Sequence, residues 1–183
     1  RIHTVLGKLT KAPLYIDDSA ALSILQLRAK ARRMQTQHGV KLIVIDYLQL
    51  LHSNSRRAMD NRQQEVAEIS AGIKALAKEL KVPVIVVCQL NRDMERDKNR
   101  KPRLSDLRES GSIEQDADLV GLLYQPRAED GEGEAPESEG RPVNLFLTKQ
   151  RNGPVGDVPL MFLKNYTRFE SAFRVDPEDV PND

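Results

Sequence analysis

Two short aliphatic runs, each ending on a polar residue and separated by one long helical pattern, constrain this chain more than any other feature. Lys41 to Asp46 (K-L-I-V-I-D) and Val84 to Gln89 (V-I-V-V-C-Q) are apolar without period-two alternation, the pattern of strands buried on both faces of a parallel sheet. Between them Val66, Ile69, Ile73, Leu76 and Leu80 recur at spacings of three and four, which predicts a helix from about Asn61 to Leu80. Strand, long helix and strand in that order imply a parallel sheet flanked by helices, an α/β architecture.

The rest of the chain extends this pattern. Leu14-Tyr15-Ile16 before Asp17-Asp18-Ser19 reads as a short strand entering a polar turn. Ser23 and Gln26 form a capping-box pair, and Ile24, Leu27, Ala31 and Met34 continue to Gly39, predicting an amphipathic helix over 24–38. Residues 52–62 are polar and basic and read as a loop, and 91–112, rich in charge, read as exposed loops. Leu119 to Tyr124 predicts a third buried strand. Val143, Leu145 and Leu147 alternate into a strand, Asn152-Gly153-Pro154 turns the chain, and Val158, Leu160 and Phe162 return, a C-terminal β-hairpin.

At 183 residues, 39% hydrophobic and 4% aromatic, the chain has enough apolar surface for one aliphatic core. It contains no apolar run near the roughly 18 residues of a membrane span, and its first residues lack the zones of a signal peptide. A soluble intracellular chain is expected. The net charge of +1 hides an uneven distribution: Glu129, Asp130, Glu132, Glu134, Glu137 and Glu139 fall in 128–140, and Asp176, Glu178, Asp179 and Asp183 in 176–183. Without those ten acids the remainder would carry +11, so a polyanion is a plausible partner. The expected organisation is a body over 1–175, with an insert at 128–140 of disordered composition, and an acidic tail over 176–183. A start at Arg1 rather than at a methionine suggests a piece of something longer.

In open parallel sheets ligands bind beyond the carboxyl ends of the strands. Asp46 and Gln89 both occupy that place. An aspartate there can hold magnesium beside a phosphate chain, directly or through water, and a glutamine can bond a terminal phosphate or attacking water without adding charge. Either residue alone reads better as a turn cap or a solvated loop residue. The two across one βαβ unit point to nucleotide chemistry. Lys149 and Arg151 continue the alternation of Val143, Leu145 and Leu147, which predicts two cations on one face at a strand end, a phosphate grip or an ordinary basic hairpin. Leu104 to Asp118 combines Arg108 with Glu109 and Gly111, suited to non-specific contact with single-strand phosphates or to a charged surface turn. His3, His38 and His52 lack metal-ligand spacing, and Cys88 reads as an inert thiol. No G-x-x-x-x-G-K-[ST] phosphate loop is present, since Gly7-Lys8 is followed by Leu9.

The segments I-V-I-D-Y-L-Q-L-L (43–51), V-V-C-Q-L-N-R (86–92), S-D-L-R-E-S-G-S-I-E-Q-D-A-D (105–118) and K-Q-R-N-G-P-V-G (149–156) together resemble the replicative DNA helicases of the DnaB family. They occur in order and cover nearly all of the chain. The resemblance implies the later part of a RecA-like motor domain in a homohexamer that hydrolyses ATP with Mg2+, moves 5′ to 3′ on single-stranded DNA, and meets a primase and a loader in the cytoplasm. It implies Asp46 as the Walker B aspartate serving the magnesium and Gln89 as the glutamine sensing the γ-phosphate. Lys149, Gln150 and Arg151 match the segment that reaches the neighbouring subunit's nucleotide, with Arg151 as the finger. Arg108, Glu109 and Gly111 match the loop holding the DNA backbone, and Arg56 and Arg57 a second pore-facing loop. The family's phosphate loop and catalytic glutamate lie upstream of these residues, and its phosphate-loop strand sits between the strands expected at 84–88 and 119–124. A sheet with a gap there, or one completed by another segment or chain, follows, as does a chain that does not hydrolyse ATP alone. Two other readings are a recombinase-like or clock-type ATPase of the same fold, which the 108–118 block and K-Q-R-N-G-P fit less well, and a non-catalytic single-stranded-DNA-binding module.

Overall fold

Asn61 starts the longest helix, α3 (Arg62–Leu80). Its side-chain carbonyl accepts the backbone N–H groups of Gln63 at 3.0 Å and Gln64 at 3.4 Å, donors that a helix start otherwise leaves without partners. The computed structural model of the chain describes residues 2–55, 61–91, 100–107, 111–126 and 140–172, and the expected acidic insert and tail lie outside them, apart from Gly140. Preceding α3 are α1 (Ile2–Lys11), α2 (Ile24–His38) and β1 (Ile43–Ile45); following it are β2 (Val84–Val86), α4 (Gly111–Asp116), β3 (Leu119–Tyr124), β4 (Arg141–Gln150), β5 (Gly156–Leu163) and β6 (Arg168–Ser171).

The predicted stripe of α3 is the centre of the core. Val66, Ile69, Ile73 and Leu76 are all buried, Ile69 and Leu76 completely. The first three pack with Ile45, Leu48, Leu51 and Ile24, so the helix seals one face of the parallel pair formed by β1 and β2, in which Ile43 lies opposite Val84 and Ile45 opposite Val86. The α2 helix forms as its sequence predicts: Ser23 Oγ accepts from Gln26 N–H, Gln26 Oε1 accepts from Ser23 N–H, and Gly39 closes the helix at φ 63°. Arg28 and Arg32 of α2 both bind Glu79 of α3. The Arg32 guanidinium, and after it that of Arg28, lowers the pKa of the Glu79 carboxyl to about 2.

The opposite face of the parallel pair departs from expectation. Val44 and Ile85 are 58% and 52% exposed, because helices cover only one side of these strands among the described residues. The sheet also breaks where the resemblance places a missing strand: β1 and β2 form one sheet, and β3-β4-β5-β6 form a separate antiparallel sheet. In β3, Val120 and Leu122 are buried whereas Leu119 and Leu123 are about half exposed, so this strand is covered on one face only. The hairpin of β4 and β5 is present, and β6, which lacks a clear alternation in sequence, adds to it after Thr167 reverses the chain at φ 47°.

Two other expectations are corrected. Leu14-Tyr15-Ile16 forms no strand and Ile16 is almost fully exposed; no strand among the described residues pairs with these residues, and a β-strand needs a ladder to satisfy its backbone groups. Within 91–112 the described residues are not simply exposed loop: Pro102, Asp106 and Leu107 are buried, and Leu107 bridges to Leu90.

Truncating the α3 stripe should therefore cost far more than truncating the open face. Ile69→Ala is expected to lower stability by about 2–5 kcal/mol and Val44→Ala by less than about 1 kcal/mol, as urea unfolding of the chain would show. Equal losses would refute the assignment of α3 as the core helix.

Candidate functional site

Asp46 and Gln89 emerge at the same edge of the parallel pair. Asp46 follows β1 directly, its peptide bond to Tyr47 is cis, and its carboxylate is exposed and makes no ion pair among the described residues. Hydrogen bonds from Val87 N–H to Ile45 O at 2.9 Å and from Leu48 N–H to Val87 O at 2.9 Å carry the ladder past the ends of both strands. Gln49 then ties the two ends together. Its Nε2 donates to Cys88 Sγ at 3.2 Å, and its Oε1 accepts from Gln89 N–H at 3.5 Å. Gln49 carried no role in the sequence reading, and only its place in the turn after Asp46 could have marked it. Cys88 is half-buried, with Gln49 Nε2 donating to its Sγ. No group of three or more potential metal ligands occurs among the described residues. One exposed carboxylate still suits magnesium, which keeps several waters and takes few protein ligands beside substrate phosphates.

The basic arm at the end of β4 is aimed differently from the sequence expectation. Lys149 pairs with Val120 but Leu147 pairs with Gly121, so Thr148 is an extra residue, a β-bulge that breaks the alternation. Residues directly opposite in an antiparallel ladder share a face. Lys149 therefore lies on the Val120 face, not with Leu145 and Leu147, whose side chains instead fill the space beside Gly121. The Val120 face is the one covered by α4: Val120 and Leu122 pack with Ile113, Ala117 and Phe146.

Lys149 Nζ donates to Glu114 O, and Arg151 Nη2 donates to Gln115 O at 2.8 Å, both near the carboxyl end of α4. Cations are favoured there by the free carbonyls and the helix dipole. Arg151 also donates its backbone N–H to Asp118 O at 2.9 Å and places Nη1 3.2 Å from Asp118 Oδ1. Asp118 is shared with Lys74 of α3; the Lys74 hydrogen bond, against the effect of burial, holds its carboxyl below the usual range, with further help from the Arg151 and Lys149 charges. Gln150 folds beneath the turn, where a Cβ on Gly153 would strike its carboxamide.

Of the expected DNA-contacting residues, Gly111 begins α4, whereas Arg56, Arg57, Arg108 and Glu109 lie outside the described residues. Two carboxylates missed in the sequence stand beside those segments. Glu65 Oε1 accepts from Ser53 N–H at 3.1 Å and Oε2 from Arg62 at 2.5 Å; burial raises its pKa, but these bonds and the nearby Arg62 and His52 charges leave it lowered. Asp106 takes both arms of Arg100, at 2.6 and 2.8 Å, and the Arg103 N–H at 2.6 Å. The Arg100 hydrogen bonds outweigh burial and lower its pKa. The only sequence sign of this role was position: each acid sits three to twelve residues from the backbone or arginine it binds.

A family model described as the DnaB-like helicase C-terminal domain matches residues 1–171. The chain belongs to the DnaB-like helicase family. The replicative DNA helicase DnaB of Geobacillus stearothermophilus is 45% identical over 182 residues, covering 99% of this chain and 39% of that protein. The replicative DNA helicase DnaC of Bacillus subtilis (strain 168) is 44% identical with the same coverage. Among solved structures, an isolated ATPase domain superimposes with a TM-score of 0.79 at 36% identity, over 94% of this chain and 59% of that one. A DnaB-like replicative helicase studied with its primase interactions gives 0.77 at 37%, over 91% and 39%. The fold is therefore that of a RecA-like ATPase domain. This DnaB-family chain spans about two fifths of the length of the curated relatives quoted.

The Asp106 clamp in this DnaB-family domain sets a pH dependence. A carboxyl whose folded pKa is depressed contributes stability above its unfolded pKa and loses it as pH falls through the folded value. The stability gap between the natural chain and Asp106→Asn is thus expected to shrink as pH is lowered from about 7 to about 3. A gap that stays constant in urea titrations across that range would show that the carboxylate charge contributes nothing.

Proposed function

We propose that this chain is the later part of the motor domain of an ATP-dependent replicative DNA helicase, acting as a homohexameric ring that unwinds duplex DNA 5′ to 3′ in the bacterial cytoplasm. The observation that carries the reading is the emergence of Asp46 and Gln89 from the ends of two hydrogen-bonded parallel strands, tied together by Gln49. Asp46 would hold Mg2+, directly or through water, and Gln89 would bond the γ-phosphate or the attacking water without adding charge. Magnesium, when bound, neutralises charge on the β- and γ-phosphate oxygens. Lys149, Gln150 and Arg151 serve the nucleotide of the neighbouring subunit, Arg151 as the finger that stabilises charge in transfer. Arg108, Glu109 and Gly111 hold the single-strand backbone, and Arg56 and Arg57 form a second contact. Residues 1–175 form the motor segment, with 128–140 an acidic decoration and 176–183 a tail.

The phosphate loop is absent from these residues, so hydrolysis is assigned to the assembled full-length protein and not to this stretch alone. A primase and a helicase loader are its expected partners; a DnaB-like relative has been solved with attention to its interactions with primase.

In the full-length protein, Arg151→Ala is expected to retain nucleotide binding and to depress hydrolysis by a factor on the order of 1,000. Mixing it with subunits defective at Asp46 should restore part of the activity, because each supplies what the other lacks at one interface. Mixtures that stay inactive at every ratio would sink the trans assignment. Arg108→Ala should weaken single-strand binding and reduce the slope of log affinity against log salt by about 0.7. An unchanged slope would remove Arg108 from the DNA path.

A further inference from the structure

We propose that Asp118 is a positioning residue for Arg151, holding the guanidinium at the exit of β4 and leaving the rest of its fork free for a phosphate of the neighbouring subunit. The inference rests on the reading of Arg151 as a finger and adds the group that prepares it. An arginine at a strand end loses rotamer freedom when it is fixed, so a side chain already restrained in its own subunit has less to lose on meeting a phosphate.

Three features of the structure restrain it. The Thr148 bulge turns the arm toward α4; Asp118 O fixes the Arg151 backbone, and Asp118 Oδ1 with Gln115 O engages Nη1 and Nη2. A guanidinium carries five N–H donors, so these two side-chain contacts leave most of the fork available, and the Arg151 side chain is 48% exposed. Lys74 completes the arrangement. It binds Asp118 Oδ2 while Arg151 Nη1 lies against Oδ1, so the carboxylate remains paired when Arg151 shifts toward a phosphate, and movement of the finger strands no charge. The contact is half exposed, which keeps it weak enough to yield.

The same residues also join α3 to the start of β3, so the test must separate positioning from a structural tie. In the full-length helicase with ATP, Mg2+ and oligo-dT, Asp118→Asn is expected to lower kcat about three- to fivefold, the size of a half-exposed ion pair, with KM for ATP nearly unchanged. Asp118→Glu should recover most of the loss. In an Arg151→Ala background, Asp118→Asn should have no further effect, because residues acting through one another are not additive. Circular dichroism and sedimentation check that each variant folds and assembles. A kcat unchanged by Asp118→Asn while Arg151→Ala is defective would overturn the role of Asp118 alone, as would a loss of equal factor in both backgrounds. Normal hydrolysis by Arg151→Ala would overturn the finger reading and this inference together.

Discussion

The apolar stripe of α3 is the contact on which the other elements depend, since Ile69 and Leu76 are completely buried and Val66, Ile69 and Ile73 meet both the parallel strands and the loop that follows β1. Because α3 connects β1 to β2, burying that stripe also brings the ends of the two strands side by side. The placement of Asp46 and Gln89 at one edge thus follows from covering hydrocarbon, and the hydrogen bonds of Gln49 to Cys88 and Gln89 then tie the two strand ends together. The same helix carries Lys74 and Ser70 on its flank, where they bind Asp118 and Asp116 and so orient α4 and the arm beyond it.

Charge is used in two ways according to burial. Exposed pairs such as Arg32 with Glu79 staple helix to helix across solvent and contribute modestly. Buried acids act more specifically. Glu65 and Asp106 each gather a backbone N–H and an arginine beside a segment proposed to face DNA, so the ends of those segments are fixed by bonds that an apolar side chain could not make.

Much of this was legible in the residues. The period of α3, the cap pair at Ser23, the polar residues ending two aliphatic runs and the β4–β5 hairpin all depend on local order, and local order is what a sequence displays. The break between β2 and β3 was legible only through family resemblance. What escaped depends on tertiary partners: β6 has no pattern of its own until β5 offers an edge, Leu14 to Ile16 has the right composition but pairs with no strand among the described residues, and Gln49, Asp106 and Asp118 are ordinary polar residues until folding brings their partners close.

The bulge at Thr148 shows a subtler limit. Up to Leu147 the strand keeps strict parity, and a reader who counts by twos assigns Lys149 to the wrong side of the sheet. The direction of the basic arm is thus set by the extra residue in the pairing, which the alternation of residue types does not display. A regular ladder of the same residues would set Thr148 opposite Val120 and Lys149 opposite Leu119, on the side of Leu145 and Leu147, so one irregular step in the backbone decides which side of the sheet receives the cation.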